Sequence, residues 1–568
     1  MPTMPVEIEL KFRIPPARLA ALQRAVATRS AVVQPLAAVY VDTAGQHLAL
    51  ARTALRLRRE GQQWVQTLKA EGATPMQRFE HNVVLPDLPA GAPAGSHPAL
   101  DMQRHDGSAA GAALQRLLAS AGHPPLVERF ATDVQRTRRV LRRGAALIEL
   151  ALDQGHIRAA GRQVVVCEIE FELLQGEPQA LLDEAARWVQ RFGLVLDVRS
   201  KSERGHLLAA GLLCSPPAQA RPLHLPAKAP LADALVALLA NPLGQVLANA
   251  SQLADVADAA DVADVAHAAD VADVADVADV ADVADVADVA DVADMADAAA
   301  MAAVVDVTDV ASRGAAAGTI GPEHLHELRV GLRRLRSVLG AYGALLHGLD
   351  PALAPALATL FQQLGPARDA DAMAGWLTPA LRHAAAPLQV LPALPGGAAL
   401  ADIGALLSTA ATQHLWLALL GLCQPAPSGA PATPKPARRL RDALRPALHT
   451  LQQQVRRDAA AFATLDQPAR HRLRRRIKRL RYLLALTSTL WPAAAVARWQ
   501  RRLQQAQGPL GALQDTLVAQ ATWQAATALD GRAWFAVGWL AAHRQTLEQP
   551  CQHALQRLAA TPRLWRKA

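Results

Sequence analysis

The stretch "VEIELKF", Val6 to Phe12, constrains the fold more than any other. Its β-branched and apolar residues mark a strand, and alternation puts Glu7, Glu9 and Lys11 on one face with Val6, Ile8, Leu10 and Phe12 on the other. Five further segments repeat the pattern. In "ALRLRRE", Arg56 and Arg58 oppose Leu55 and Leu57; in "VQTLK", Lys69 shares a face with Thr67; in "DVQRTRRV", Arg136 and Arg138 fall together. In "IELALD", Glu149 and Asp153 flank Ala151, and in "CEIEFEL", Glu168, Glu170 and Glu172 oppose Ile169, Phe171 and Leu173.

One such strand could belong to a half-solvated sheet. A set of them argues otherwise, because solvated faces mix Ser, Thr, Gln and Lys, whereas these are almost purely ionic and segregated by sign. Rows of Glu beside rows of Arg predict a closed or nearly closed antiparallel barrel whose interior is polar and holds a charged ligand. Arg and Lys grip phosphate oxygens. Clustered carboxylates repel phosphate unless a hard divalent cation bridges them, which points to Mg2+ or Mn2+. A triphosphate with its metal satisfies both sets. No Ser/His/Asp or Cys/His arrangement and no Gly-rich phosphate loop is apparent, which disfavours nucleophilic catalysis and P-loop chemistry.

The residues carry a resemblance. "EIELKF" resembles the ExExK signature of CYTH domains, the triphosphate tunnel metalloenzymes, and the likeness continues through "YVDT", "ALRLRREGQQWVQTLK", "RFATDVQRTRRV", "ALDQG", "CEIEFEL" and "KSERGH", about residues 1–210. The resemblance implies an eight-stranded antiparallel tunnel that hydrolyses triphosphates with a divalent metal. It also implies roles: Glu7, Glu9, Asp153, Glu168 and Glu170 as metal ligands; Lys11, Arg56 and Arg58 as catalytic cations; Lys69, Arg136 and Lys201 as substrate-binding groups. Glu149, Glu172, Arg78 and Arg138 share the polar faces. His81 and His206 stand where that family more often has aromatic residues and are expected at exposed positions.

Beyond about residue 213 strand signals vanish. "CSPPAQARPLHLPAKAP" (214–230) reads as a linker, and Ala/Leu/Arg-rich helical periodicity fills 231–568, broken by a Pro-rich stretch at 424–437. The expectation is a multidomain chain: an α+β antiparallel eight-stranded tunnel barrel over 1–213, then an all-α duplicated four-helix bundle. An acidic low-complexity insertion, "ADVADVADV" and its repeats, occupies about 253–312. A three-residue period leaves no persistent apolar stripe and repels itself, so the tract reads as a mobile or weakly helical linker. It hides the balance of charge: 16 Asp and no Lys, Arg or Glu lie between Ser251 and Val310, so a net charge of +9 becomes +25 for the rest of the chain. Such a protein attracts polyanions. The four cysteines show no CxxC or zinc spacing, the N-terminus lacks a signal-peptide pattern, and no uninterrupted apolar run approaches a membrane span. Those features predict a cytoplasmic protein without a membrane partner.

Two helical segments share internal spacing. His326, Arg329, Arg333 and Arg336 in "HELRVGLRRLR" repeat as His471, Arg474, Lys478 and Arg481 in "HRLRRRIKRLR", each set on one helix face. "LGPARD" (364–369) and "LGALQD" (510–515) correspond downstream, as a duplication requires. From Ile320 onward 30 Lys/Arg face 12 Asp/Glu, a surface suited to polyphosphate or nucleic acid. Sparse aromatics near the stripes weaken the nucleic-acid alternative. This half resembles the CHAD domain, a conserved-histidine helical domain, which implies two four-helix repeats binding long-chain polyphosphate through those eight residues. The ADV tract interrupts the usual succession of helices.

The first expectation is an inorganic triphosphatase that cleaves tripolyphosphate to pyrophosphate and phosphate. Two alternatives stay open: a nucleoside or thiamine triphosphatase or adenylate cyclase on the same tunnel, and a non-enzymatic polyphosphate-binding protein.

Overall fold

Each ionic strand of the N-terminal third forms, and together they close a ring. The strands are β1 (Val6–Arg13), β2 (Val32–Thr43), β3 (Thr53–Glu60), β4 (Gln63–Glu71), β5 (Gln77–Leu85), β6 (Leu126–Arg143), β7 (Ala146–Ala159) and β8 (Arg162–Gln175). Their order is β5-β4-β3-β2-β6-β7-β8-β1, and antiparallel pairing of β1 with β5 closes an eight-stranded barrel. A two-residue β9 (Val195–Leu196) adds to β1 at Phe12 and Arg13. The computed structural model describes residues 6–86, 88, 93, 96–268, 320–346, 348–390, 400–424 and 439–565.

Local chemistry sets the turns. Ala160 and Gly161 both take positive φ (48° and 73°) between β7 and β8, the handedness a tight hairpin needs. Pro35 lies within β2, but pairing with β3 begins only at Leu36, so its missing N–H costs no ladder bond on that side.

The apolar faces point outward and are covered. Helices α1 (Leu19–Val26) and α4 (Pro178–Phe192) pack on Leu10, Phe12, Leu150, Leu152, Ile169 and Phe171, all buried. Phe171 meets Phe12 edge-on at 5.5 Å and Trp188 at 5.7 Å. Elsewhere α2 (His47–Leu50) and α3 (Ala109–Ser120) cover Val41, Leu55 and Leu68. The expected "KSERGH" segment forms a helix, α5 (Lys201–Ala209), capped by Ser200.

The second half is all-helical among the described residues: α6 (Leu231–Ala268), α7 (Pro322–Tyr342), α8 (Leu353–Gln363), α9 (Gly365–His383), α10 (Leu400–Ser408), α11 (Ala410–Leu422), α12 (Leu440–Ala460), α13 (Gln467–Leu486), α14 (Ala493–Ala526) and α15 (Ala533–Ala559). α6 packs on α7 and α10, and α7 packs on α13, so the two stripe-bearing helices are neighbours. One apolar core runs from the outer face of the barrel through α4 into α6, α7, α11 and α13. Leu231–Asp255 is long and apolar enough to cross a membrane, yet Leu238, Leu243, Val246 and Leu253 on it are buried in that core. α6 continues to Ala268, so the first ADV repeats extend a helix; the remainder of the tract and residues 425–437 of the Pro-rich break lie outside the described residues.

Candidate active site in the charged tunnel

An open-ended cavity of about 720 Å³ runs into the barrel, lined largely by the ionic faces of its strands and reaching Gln252 of α6 and Leu420 of α11. Because β1, β4 and β5 are adjacent, Lys69 lies among three acids, 2.9 Å from Glu7, 3.0 Å from Glu9 and 3.2 Å from Glu80. Arg78 approaches Glu9 at 3.4 Å. On the facing strands a second nest forms. Lys201, carried by α5, lies 2.7 Å from Asp153, 2.5 Å from Glu168 and 2.8 Å from Glu170. Arg136 donates to both oxygens of Asp153 at 2.7 and 2.6 Å and to Glu170 at 2.5 Å. Arg204 also pairs with Glu168.

Between the nests are cations with fewer acidic contacts. Lys11 is half-buried; its Nζ, itself shielded from solvent, is 3.9 Å from Glu168 and makes no hydrogen bond among the described residues. Arg56 donates to the Tyr40 hydroxyl at 3.1 Å and sits 4.0 Å from Glu80; Arg58 donates to Glu60. A buried ammonium without a hydrogen-bond partner is costly, and an anionic ligand removes the cost.

The charges tune one another. Burial pushes the Lys11 ammonium below its usual range despite Glu168 and Asp197. Burial would lower Lys201 as well, but Asp153, Glu168 and Glu170 outweigh it and hold that cation above its usual range. Glu7 is raised to about 7 by burial against the pull of Lys69, while Lys69 and Arg56 overcome burial at Glu80 and hold it at about 2. Glu172 is raised by burial and by Glu149.

The acid groups suit a hard cation. The nearest oxygens of Asp153, Glu168 and Glu170 lie within 4.8 Å of one another, an all-oxygen donor set that could hold a metal ion. In both nests an ammonium bridges three carboxylates, the counter-charge that a divalent ion also supplies.

All eleven tunnel residues anticipated from the sequence therefore fall into one ionic network or its immediate rim. Three residues outside that set also belong to the site: Glu80, Arg204 and Tyr40. Glu80 is legible from alternation, since Arg78, Glu80 and Asn82 alternate as Glu7, Glu9 and Lys11 do. Arg204 was hidden because its segment is a helix, on which Lys201 and Arg204 share a face at i, i+3. The expected exposure of the two histidines is corrected. His206 is only 6% exposed, edge-on to Phe130 at 5.1 Å and 3.7 Å from Asp42. His81 is half-buried, its Nδ1 2.8 Å from Nδ1 of the buried His105.

The helical stripes are placed differently. Arg329, Arg333 and Arg336 stack over Phe361 at 4.8, 5.8 and 5.2 Å, and Arg329 donates to the Leu364 carbonyl. Arg474 lies 3.4 Å from Asp515, the residue that ends "LGALQD". His326, Arg329, Arg474 and Lys478 are buried, while Arg333, Arg336, His471 and Arg481 are half-buried. The stripes are thus not merely solvated helix faces.

A closed barrel with opposed acid and base rows, joined to a duplicated set of basic helices, defines the class of protein. Residues 5–203 match the CYTH domain model and residues 299–524 the CHAD domain model, so the chain carries a CYTH domain followed by a CHAD domain. An inorganic triphosphatase of Haemophilus influenzae is 30% identical over 213 residues, 36% of this chain and 55% of that protein; the match spans about half the length of this curated relative. Among solved structures, the CHAD domain of Ricinus communis aligns over 61% of this chain and 98% of its own, at 21% identity and a TM-score of 0.41. HpAC1 of Hippeastrum, described as having a dominant triphosphatase activity, aligns over 35% of this chain and 94% of its own, at 16% identity and a TM-score of 0.25.

Proposed function

We propose that this protein is a metal-dependent triphosphatase whose preferred substrate is inorganic tripolyphosphate, cleaved to pyrophosphate and phosphate. The observation that carries the reading is the cavity where the buried Lys11 ammonium lacks a hydrogen-bond partner amid Arg56, Arg58 and two acid nests. The triphosphatase from Haemophilus influenzae, similar over 213 residues, supports the substrate class. Glu7 and Glu9 on one side, and Asp153, Glu168 and Glu170 on the other, would hold Mg2+ or Mn2+. Such an ion neutralises phosphate oxygens and lowers the pKa of a bound water.

The chain's own residues do the rest. Phosphoryl transfer needs positioning and charge neutralisation more than covalent help. Arg56, Arg58 and Arg136 orient the phosphates and spread the charge that develops on the leaving pyrophosphate. Lys69 and Lys201 exchange carboxylate partners for phosphate oxygens as substrate enters. Lys11, with its ammonium destabilised by burial, is placed to steady the terminal phosphoryl group.

The helical half, on this reading, binds long-chain polyphosphate through His326, Arg329, Arg333 and Arg336 and their counterparts His471, Arg474, Lys478 and Arg481. A cytoplasmic location agrees with four free cysteines. The test is phosphate release from tripolyphosphate, ATP and thiamine triphosphate, with and without Mg2+, by wild type and Glu9→Ala. Metal-dependent turnover, fastest on tripolyphosphate and at least about 100-fold slower in the variant, is expected. Inactivity of the wild type on all three would end the proposal.

A further inference from the structure

The ADV tract begins with a residue that does not behave as part of a linker. Asp255, the first of its aspartates, lies on α6 and bridges two arginines of the barrel domain, 2.5 Å from Arg13 at the end of β1 and 2.5 Å from Arg199. Arg199 is 7% exposed and also donates to both oxygens of Asp197, at 2.9 and 2.8 Å. Asp197 in turn donates its backbone N–H to the Lys11 carbonyl at 2.9 Å, and its carboxylate is among the charges that act on the Lys11 ammonium.

The same short segment is held by the helical half at two more points. Leu196 N–H donates to Gln413 of α11 at 2.8 Å, and Val198 N–H donates to Ser251 of α6 at 3.2 Å. Residues 195–200 run directly into α5, which carries Lys201 and Arg204 into the tunnel. One face of this segment therefore touches Lys11, its end sets the position of Lys201, and its outer side is fixed by α6 and α11.

We propose that Asp255 is a positioning residue for hydrolysis in the tunnel: through Arg199 and Asp197 it locks the 195–200 segment, and so ties the placement of Lys11 and Lys201 to the helical half of the chain. This rests on the triphosphatase reading above. Without the Asp255 carboxylate, Arg199 loses the ion pair that ties it to α6. Arg199 then keeps only the Asp197 partner within this relay, and the segment loosens beside the reacting groups. Small displacements of positioned groups act on turnover more than on ground-state affinity.

The test uses the full chain with Asp255→Asn, Asp255→Glu, the control Asp233→Ala on the exposed side of α6, and Glu9→Ala. Asp255→Asn is expected to lower kcat for tripolyphosphate about tenfold with KM within about twofold. Asp255→Glu, which keeps the charge, should recover most of that loss, and Asp233→Ala should behave as wild type. Independently of activity, amide hydrogen exchange at Val198 and Arg199 should quicken in Asp255→Asn while exchange in β7 stays protected. Wild-type kcat in Asp255→Asn beside an inactive Glu9→Ala would overturn the coupling and leave the tunnel reading standing. Unchanged exchange at Val198 and Arg199 would overturn it whatever the activity.

Discussion

Barrel and bundle solve opposite problems with the same residues. Both gather Arg, Lys and His, but the barrel turns them inward toward a cavity and packs its apolar side chains outside, whereas the bundle keeps a leucine-rich centre and sets its cations at helix contacts. In the barrel every cationic strand has an acidic one within reach: Lys69 against Glu7, Glu9 and Glu80, Arg136 against Asp153 and Glu170. In the bundle aromatic faces and a carboxylate on a neighbouring helix take that part, Phe361 for the first stripe and Asp515 for the second. A dense charge array survives inside a protein only where counter-charges are built in at hydrogen-bond distance.

The largest effect expected from breaking that contrast is at Arg136. Arg136→Ala strands the fully buried Asp153 beside Lys201 alone, and should destabilise the protein by about 3–5 kcal/mol as well as abolish turnover. Urea unfolding followed by circular dichroism measures the first, and an unshifted midpoint would mean that the interior acids do not depend on their partners. On the outer face, Phe171→Ala should cost about 3–5 kcal/mol by opening a cavity between Phe12 and Trp188, while leaving the ionic lining in place.

A smaller effect tests the proposed polyphosphate surface of the bundle against the tunnel. Combined His326→Ala and Arg329→Ala should weaken long-chain polyphosphate binding about tenfold or more, read by titration calorimetry, since hydrogen bonds to charged groups are worth about 1.5–3 kcal/mol each. Equal affinity in that variant would reduce the first stripe to a packing feature. Salt sharpens the same comparison. Between 50 and 300 mM, about the usual experimental range, long-chain affinity should fall steeply while KM for tripolyphosphate in the tunnel moves less.

The smallest effect concerns stability against pH. His105 is held down to about 4 by burial and by His81, below the ordinary value near 6.5. Between those values the unfolded chain binds the extra proton, so stability rises with pH there and is lost as pH falls from about 6.5 toward 4. His105→Gln removes this contribution. The urea midpoint of wild type should therefore drop more than the variant's between pH 7.5 and 5, and parallel curves would contradict the assignment.

The barrel was legible because a period of two is unambiguous once it recurs with charge. Glu7, Glu9, Lys11, Arg56, Arg58 and Glu168 could be placed on one interior from alternation alone, without knowing the strand order. What alternation could not supply was partnership. It gave no reason to put Lys69 with Glu7 rather than with Glu168, because that depends on which strands are neighbours. Helical spacing was weaker evidence. It grouped His326 with Arg329 and Arg333 correctly on one face, but which face a neighbouring helix covers is decided by packing, so the burial of Arg329 and Arg474 was out of reach. Asp255 was the hardest. Composition assigned it to a repetitive acidic tract, and only the fold brings it to Arg13 and Arg199, 242 and 56 residues away in sequence.

The most direct measurement of the central claim is calorimetric titration of tripolyphosphate into wild type and Arg58→Ala. Arg58 lines the cavity and pairs only with Glu60 among the described residues, so its loss leaves the two acid nests in place. A single site per chain is predicted, weakened about 10- to 100-fold by the substitution. Undiminished affinity in Arg58→Ala would contradict the account, because tripolyphosphate would then be bound without the guanidinium that faces the tunnel.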